Sequence, residues 1–116
     1  MDRQAVIIMD VDGQIRLLTP AAEQMLGLPP REVVGRDCSE VLDCRGDDGE
    51  SLCRSCGRQA AFERRALVQP SLAWLTGAGG RRQPVMLGFW FLPPSGRIQQ
   101  PRVMAVMRST ASEDAI

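Results

Sequence analysis

At 116 residues the chain has room for one domain and not for two. Its 44% hydrophobic content suffices for an ordinary core. Fourteen basic residues balance fourteen acidic ones, so no net charge draws the chain to nucleic acid or anionic lipid. Every basic residue is arginine, and His, Lys, Tyr and Asn are absent. That removes an imidazole base, a His-ligated haem, a Cys–His pair and a lysine Schiff base, so no enzyme is expected. No apolar run approaches the roughly 20 residues of a membrane span, and Ala5–Met9 is too short for a signal-peptide core. A cytoplasmic location without membrane or direct nucleic-acid contact is the expectation.

Residues 5–10 are apolar and β-branched, the pattern of a buried strand. Val11-Asp12-Gly13 supplies turn chemistry, and residues 14–19 resume a strand, giving a β-hairpin. A calcium loop starting at Asp10 would end at Ala21 rather than at a bidentate Glu, so the hairpin reading prevails. Thr19-Pro20 reads as an N-cap and first helical position, with Ala22, Met25 and Leu26 on one buried face and Gly27 as the stop. Pro29-Pro30 opens a short turn through Val34, and Asp37 with Glu40 caps another short helix through Leu42.

From Asp43 to Gly57 the chain is polar and glycine-containing, and by itself resembles a flexible loop. Residues 58–69 have helical composition, with Ala61, Phe62, Ala66 and Leu67 available for burial and Pro70 as the terminator. Strands are expected over 71–76, 83–92 and 102–108, the first two joined by the Gly77-Ala78-Gly79-Gly80 hairpin. The long strand is apolar on both faces: Val85, Leu87, Phe89 and Phe91 on one, Met86, Trp90 and Leu92 on the other. Such a sheet needs a cover on each side. The helical middle supplies one, and a second subunit packed on Met86, Trp90 and Leu92 is the expected other.

The order of two strands, several short helices and three strands resembles the PAS sensor family. The likeness is carried by residues 5–16 (AVIIMDVDGQIR), 19–27 (TPAAEQMLG), 30–36 (PREVVGR) and the 80–85 hairpin (GRRQPV). Thr19 stands where many members carry Asn. The resemblance implies an α+β fold, a five-stranded antiparallel sheet with short helices on one face. It would span residues 1–109, with 110–116 a polar tail or the start of a linker to an effector. It also implies a sensory and dimerisation role in bacterial regulators and a ligand pocket near Met25, Leu26 and Leu87.

Gly35-Arg36-Asp37-Cys38 looks like the flavin-adduct motif Gly-Arg-Asn-Cys of light-sensing members. Asp37 replaces the Asn, however, and the flavin-ring asparagines of that branch have no counterpart in a chain without Asn. Flavin is therefore not expected, and haem is not expected without His.

Four cysteines carry the remaining chemistry: Cys38-x5-Cys44-x8-Cys53-x2-Cys56. Cys53-x2-Cys56 suits two ligands on one metal. A four-thiolate site takes zinc or an iron–sulfur cluster and would organise a polar segment. Three alternatives stand beside it. The thiols are free and pack as small hydrophobes in a protein-interaction or dimerisation module. Cys53 and Cys56 form a reversible disulfide, with Arg54 and Arg58 nearby. Or the pair serves a thiol-redox enzyme, although the strand that precedes a thioredoxin-type motif is missing. Asp47, Asp48 and Glu50 read as a solvated loop, Trp74 as core or interface, and Arg64-Arg65 and Arg81-Arg82 as exposed charge.

Overall fold

Strand β1 (Gln4–Met9) alternates strictly, with Ala5, Ile7 and Met9 buried, and turns at Asp10 into β2 (Ile15–Leu18). The turn depends on one carboxylate. Asp10 is only 6% exposed, and its Oδ1 accepts the N–H of Asp12 at 2.9 Å and of Gln14 at 3.0 Å. Its Oδ2 accepts from Arg16 Nε at 2.9 Å and pairs with Nη2 at 2.8 Å. Gly13 takes a φ of 86°, a left-handed value that favours glycine.

The computed structural model describes residues 4–52 and 57–110. Its sheet is five-stranded and antiparallel throughout, in the order β2-β1-β5-β4-β3. The remaining strands are β3 (Val68–Thr76), β4 (Arg82–Leu92) and β5 (Arg102–Ser109). Three helices, α1 (Pro20–Leu26), α2 (Cys38–Leu42) and α3 (Gly57–Arg64), pack on one face. There Val85, Leu87, Phe89, Val103, Ala105 and Met107 meet Ala22, Leu26, Val41, Leu42 and Ala61 in a single core. The expected fold class is the one observed.

Local chemistry places the helix ends where the sequence indicates. Thr19 Oγ1 accepts the N–H of Ala22 at 3.3 Å, and Gly27 closes α1 in the left-handed region, its N–H donating to the Glu23 carbonyl. A short 3-10 turn follows over Pro30–Glu32.

Two expectations are corrected. The helix expected over 58–69 is α3, which stops at Arg64 because Arg65 adopts a φ of 50°. Leu67 is consequently 45% exposed and Ala66 is exposed as well. Pro70 does not terminate a helix. It lies within edge strand β3, where the register with β4 shifts between Val68 and Ser71, and an edge strand tolerates a residue without an N–H.

The acid dependence of the β1–β2 turn has a definite sign. Burial pushes the Asp10 carboxyl up, but the bonds from Gln14, Arg16 and Asp12 together outweigh it and hold it below its ordinary 3.8. A carboxyl lowered on folding contributes stability that is complete above the unfolded value and is lost as pH falls through the folded one. Replacing Asp10 with Asn is expected to cost about 1 kcal/mol near neutral pH. Urea denaturation should show the gap to wild type closing as pH falls below the ordinary value near 3.8.

Candidate functional site

The cysteine segment begins where α2 is capped. Asp37 Oδ1 accepts from the Ser39 N–H at 2.9 Å and from Ser39 Oγ at 2.7 Å. These bonds hold the Asp37 carboxyl below its usual range against the burial that raises it, and the charge of Arg58 lowers it further. Cys38 is the first helical residue, and its N–H donates to the Gly13 carbonyl at 2.8 Å. The helix ends at Asp43, which takes a left-handed φ of 42°. Cys44 follows. Cys38 and Cys44 are each 8% exposed and belong to the core.

The next stretch differs from the flexible loop that its composition suggests. Residues 44–52 form a small hairpin: the Leu52 N–H donates to the Cys44 carbonyl at 2.9 Å and the Gly46 N–H to the Glu50 carbonyl at 3.0 Å. Arg45 pairs in both directions with Trp74 on the β3 edge, at 2.9 and 2.7 Å. The Trp74 indole N–H donates to Asp47 Oδ1 at 2.8 Å, and Arg45 Nη1 to the Gly49 carbonyl at 3.1 Å. The edge of β3 thus organises this hairpin, because a strand edge offers backbone groups that a polar segment can pair with.

Cys53, Arg54 and Cys56 lie outside the described residues. The chain resumes at Gly57, which abuts β4 so closely that an added Cβ would stand 2.5 Å from Phe89 Cδ2. A cavity of about 280 Å³ opens here, lined by Cys44, Leu52, Gly57, Val68, Leu87 and Phe89 among others. Arg58 reaches the β1–β2 turn, with its guanidinium carbon 3.2 Å from where a Cβ on Gly13 would sit. Among the described residues no three His, Cys, Asp or Glu side chains converge as a metal group; two of the four cysteines are among those residues.

The three pocket residues named from the resemblance do not share one cavity. Met25 and Leu26 line a depression of about 240 Å³ with Gly77, Arg81 and Gln83, where Gln83 Nε2 donates to the Met25 carbonyl. Leu87 lines the cavity beside Cys44 instead. Met86 and Leu92 are half-buried on the sheet face away from the helices, and Trp90 there is 48% exposed. Met86 and Trp90 line an open groove of about 440 Å³ with Pro70, Gly88, Val106 and Arg108.

Three residues with roles at this site were not singled out for them from the sequence. Asp47 reads as part of a solvated acidic loop, yet it accepts from the Trp74 indole N–H. Asp10 reads as the end of the first strand and as the start of a discounted calcium loop, yet its carboxylate closes the turn. Arg58 stands beside the cysteine pair in the sequence, and nothing there indicates that it reaches Gly13.

With this geometry in place, comparison with known proteins identifies the family. The model of the PAS fold matches residues 3–68, more than half of the chain, and the protein belongs to the PAS family. Solved structures agree on the fold. The PAS domain of a protein from Colwellia psychrerythraea superposes with a TM-score of 0.73 at 13% identity, covering 95% of this chain and 88% of that one. The light-state dimer of the fungal blue-light photoreceptor Vivid gives 0.68 at 19% identity, covering 90% and 76%. A domain of an HTR-like protein from Haloarcula marismortui gives 0.62 at 16% identity, covering 93% and 98%. No curated protein matches significantly.

The hairpin on the β3 edge has a direct test. Asp47→Ala removes the acceptor of the Trp74 indole and is expected to cost about 1 kcal/mol. Hydrogen exchange should speed up at the amides of Arg45 and Trp74 and remain unchanged at those of β1.

Proposed function

We propose that this PAS domain is a cytoplasmic, non-enzymatic sensory module of a bacterial signalling or transcription-regulating system. Its state is set by metal or redox chemistry at Cys38, Cys44, Cys53 and Cys56, and it pairs with a second copy through the outer sheet face. A change at the cysteine site would shift a pre-existing equilibrium that an attached effector or partner protein reads.

The observation that carries the cysteine reading is the convergence of flanking residues. Gly57, bonded to Cys56 in the sequence, shares a cavity wall with Cys44. Arg58, one residue further, lies on Gly13, whose carbonyl holds the N–H of Cys38. Cys38 and Cys44 are both buried on the helical side. A donor set of four thiolates would fit zinc or an iron–sulfur cluster and would suit neither calcium nor magnesium. The four cysteines would hold the group. Zinc would supply a structural tie, and a cluster would supply an electron acceptor. Because β3 holds the hairpin 44–52 through Arg45 and Trp74, the site would act on its position.

Anaerobic purification with metal and sulfide quantification and a visible spectrum tests the site. One metal centre per chain is expected, lost when Cys53 and Cys56 are both replaced by Ser. An unmetallated protein that does not respond to those replacements overturns the site and leaves the alternative, a protein-interaction or dimerisation module whose thiols are incidental.

The outer face supports pairing independently of the cysteines. Trp90 and Leu72 are exposed on strands whose neighbouring positions, Met86 and Val106, are apolar as well. Apolar sheet surface of this kind is stabilised by a cover. Sedimentation should show a dimer for the wild type and a monomer for Trp90→Arg, with the fold retained in both. A monomeric wild type would overturn this part.

A further inference from the structure

The five strands contain four arginines, Arg16, Arg82, Arg102 and Arg108, and not one Asp or Glu. Arg16 is answered by Asp10, the carboxylate that follows β1. Arg102 and Arg108 stand on β5, the middle strand of the sheet. Val103, Ala105 and Met107 are buried in the core, so alternation turns Arg102, Met104, Val106 and Arg108 to the outer face. Strand pairing makes Met104 part of an apolar row that crosses four strands as Leu17, Ile8, Met104 and Trp90. Leu17 and Trp90, at the two ends of that row, are each 48% exposed. The outer face is therefore an apolar band with positive charge at both ends of its middle strand.

We propose that the pairing of two copies through this face is gated by salt: the arginines at the ends of β5 meet those of the second copy, and dissolved anions screen them so that the apolar bands can close. This gate rests on the pairing reading above. A second copy suits the face by size. At about 3.4 Å per residue and about 4.8 Å per strand, the strands tile roughly 600 Å² in projection. A standard interface takes about 800 Å² of accessible surface from each partner, and a face studded with Trp, Met and Leu exposes more than its projection. Two identical faces meet about a two-fold axis lying between them. Sheets packed in alignment keep their strands within about 30° of each other. Whether the axis runs along β5 or across it, the ends of one β5 then lie over the ends of the other. Each end carries an arginine, and the strands offer no carboxylate to separate them. Like charges set against each other disfavour association. Salt sets the range of that repulsion, about 30 Å at 0.01 M and about 3 Å at 1 M.

Sedimentation equilibrium of the full chain in sodium chloride, at about 0.01 M and about 1 M, tests the gate. The wild-type dimer is expected to tighten about 5- to 10-fold in the higher salt. Arg102→Gln should be about 3- to 10-fold tighter than the wild type at low salt and respond less to salt. Arg102→Lys keeps the charge and should follow the wild type, which separates charge from packing. If Arg102→Gln does not fold, Arg108→Gln removes the charge at the other end of β5 and should shift the equilibrium the same way. A wild-type dimer that holds or loosens as salt rises, or a neutral variant no tighter at low salt, overturns the gate and leaves the pairing standing. A wild type that is monomeric at both salts overturns the pairing, and the gate with it.

Discussion

The arrangement of the helical face depends on how the two edges of the sheet are paired. At the β2 edge, Ile15 exchanges backbone bonds with Arg36 and Gly35, and the Gly13 carbonyl takes the N–H of Cys38. At the β3 edge, Trp74 exchanges bonds with Arg45. Between these anchor points the chain has little more than α2. A five-residue helix is about 7.5 Å long, whereas the outer strands of a flat five-stranded sheet stand roughly 19 Å apart. The sheet must therefore curl until its edges can be bridged by α2, and Cys38 and Cys44 mark the two ends of that bridge. A change in their chemistry would act at the points where the helical layer is tied to the sheet.

A second constraint sits at the β1–β2 turn. Asp10 closes the turn from within by bonding two backbone N–H groups and Arg16. Gly13 presents its carbonyl to Cys38 and its bare Cα to Arg58. A side chain at position 13 would displace the guanidinium and strain the left-handed backbone together. Glycine is favoured there by the left-handed backbone and by the packing of Arg58, and the turn becomes a contact point for the starts of both α2 and α3. The close approach of Gly57 to Phe89 does the same for α3 and β4. Cys56 precedes that glycine in the sequence, so the cysteine pair is followed directly by a fixed point of the core.

The outer face of the sheet obeys a simpler rule. Helices cover one side of the sheet, and β4 and β5 present Met86, Trp90, Met104 and Val106 on the other. Strand alternation makes this face readable from β4 alone, because both sets of alternate residues are apolar. Pro70 over Gly88 adds a detail that alternation does not contain: the proline Cγ would lie 3.2 Å from a Cβ at position 88. That glycine lets the irregular start of β3 close onto β4.

Period-two alternation in β1, β4 and β5, the Thr19-Pro20 start and Gly27 stop of α1, and the Asp37 cap of α2 were all legible in the chain, because each is decided by neighbours within a few residues. The fold class followed from their order. What composition misread was decided at a distance. Residues 44–52 are polar and look unstructured, but an open strand edge supplies the hydrogen bonds they lack. Leu67 looks like a core residue of a helix, but the left-handed turn at Arg65 turns the chain away first. The four-cysteine spacing was plain from the sequence. That Cys38 and Cys44 are both buried at the two ends of α2, and that Arg58 stands at Gly13 with a buried N–H unfilled, arises only when the sheet curls and brings residues 13, 37, 44, 58 and 74 around one helical layer.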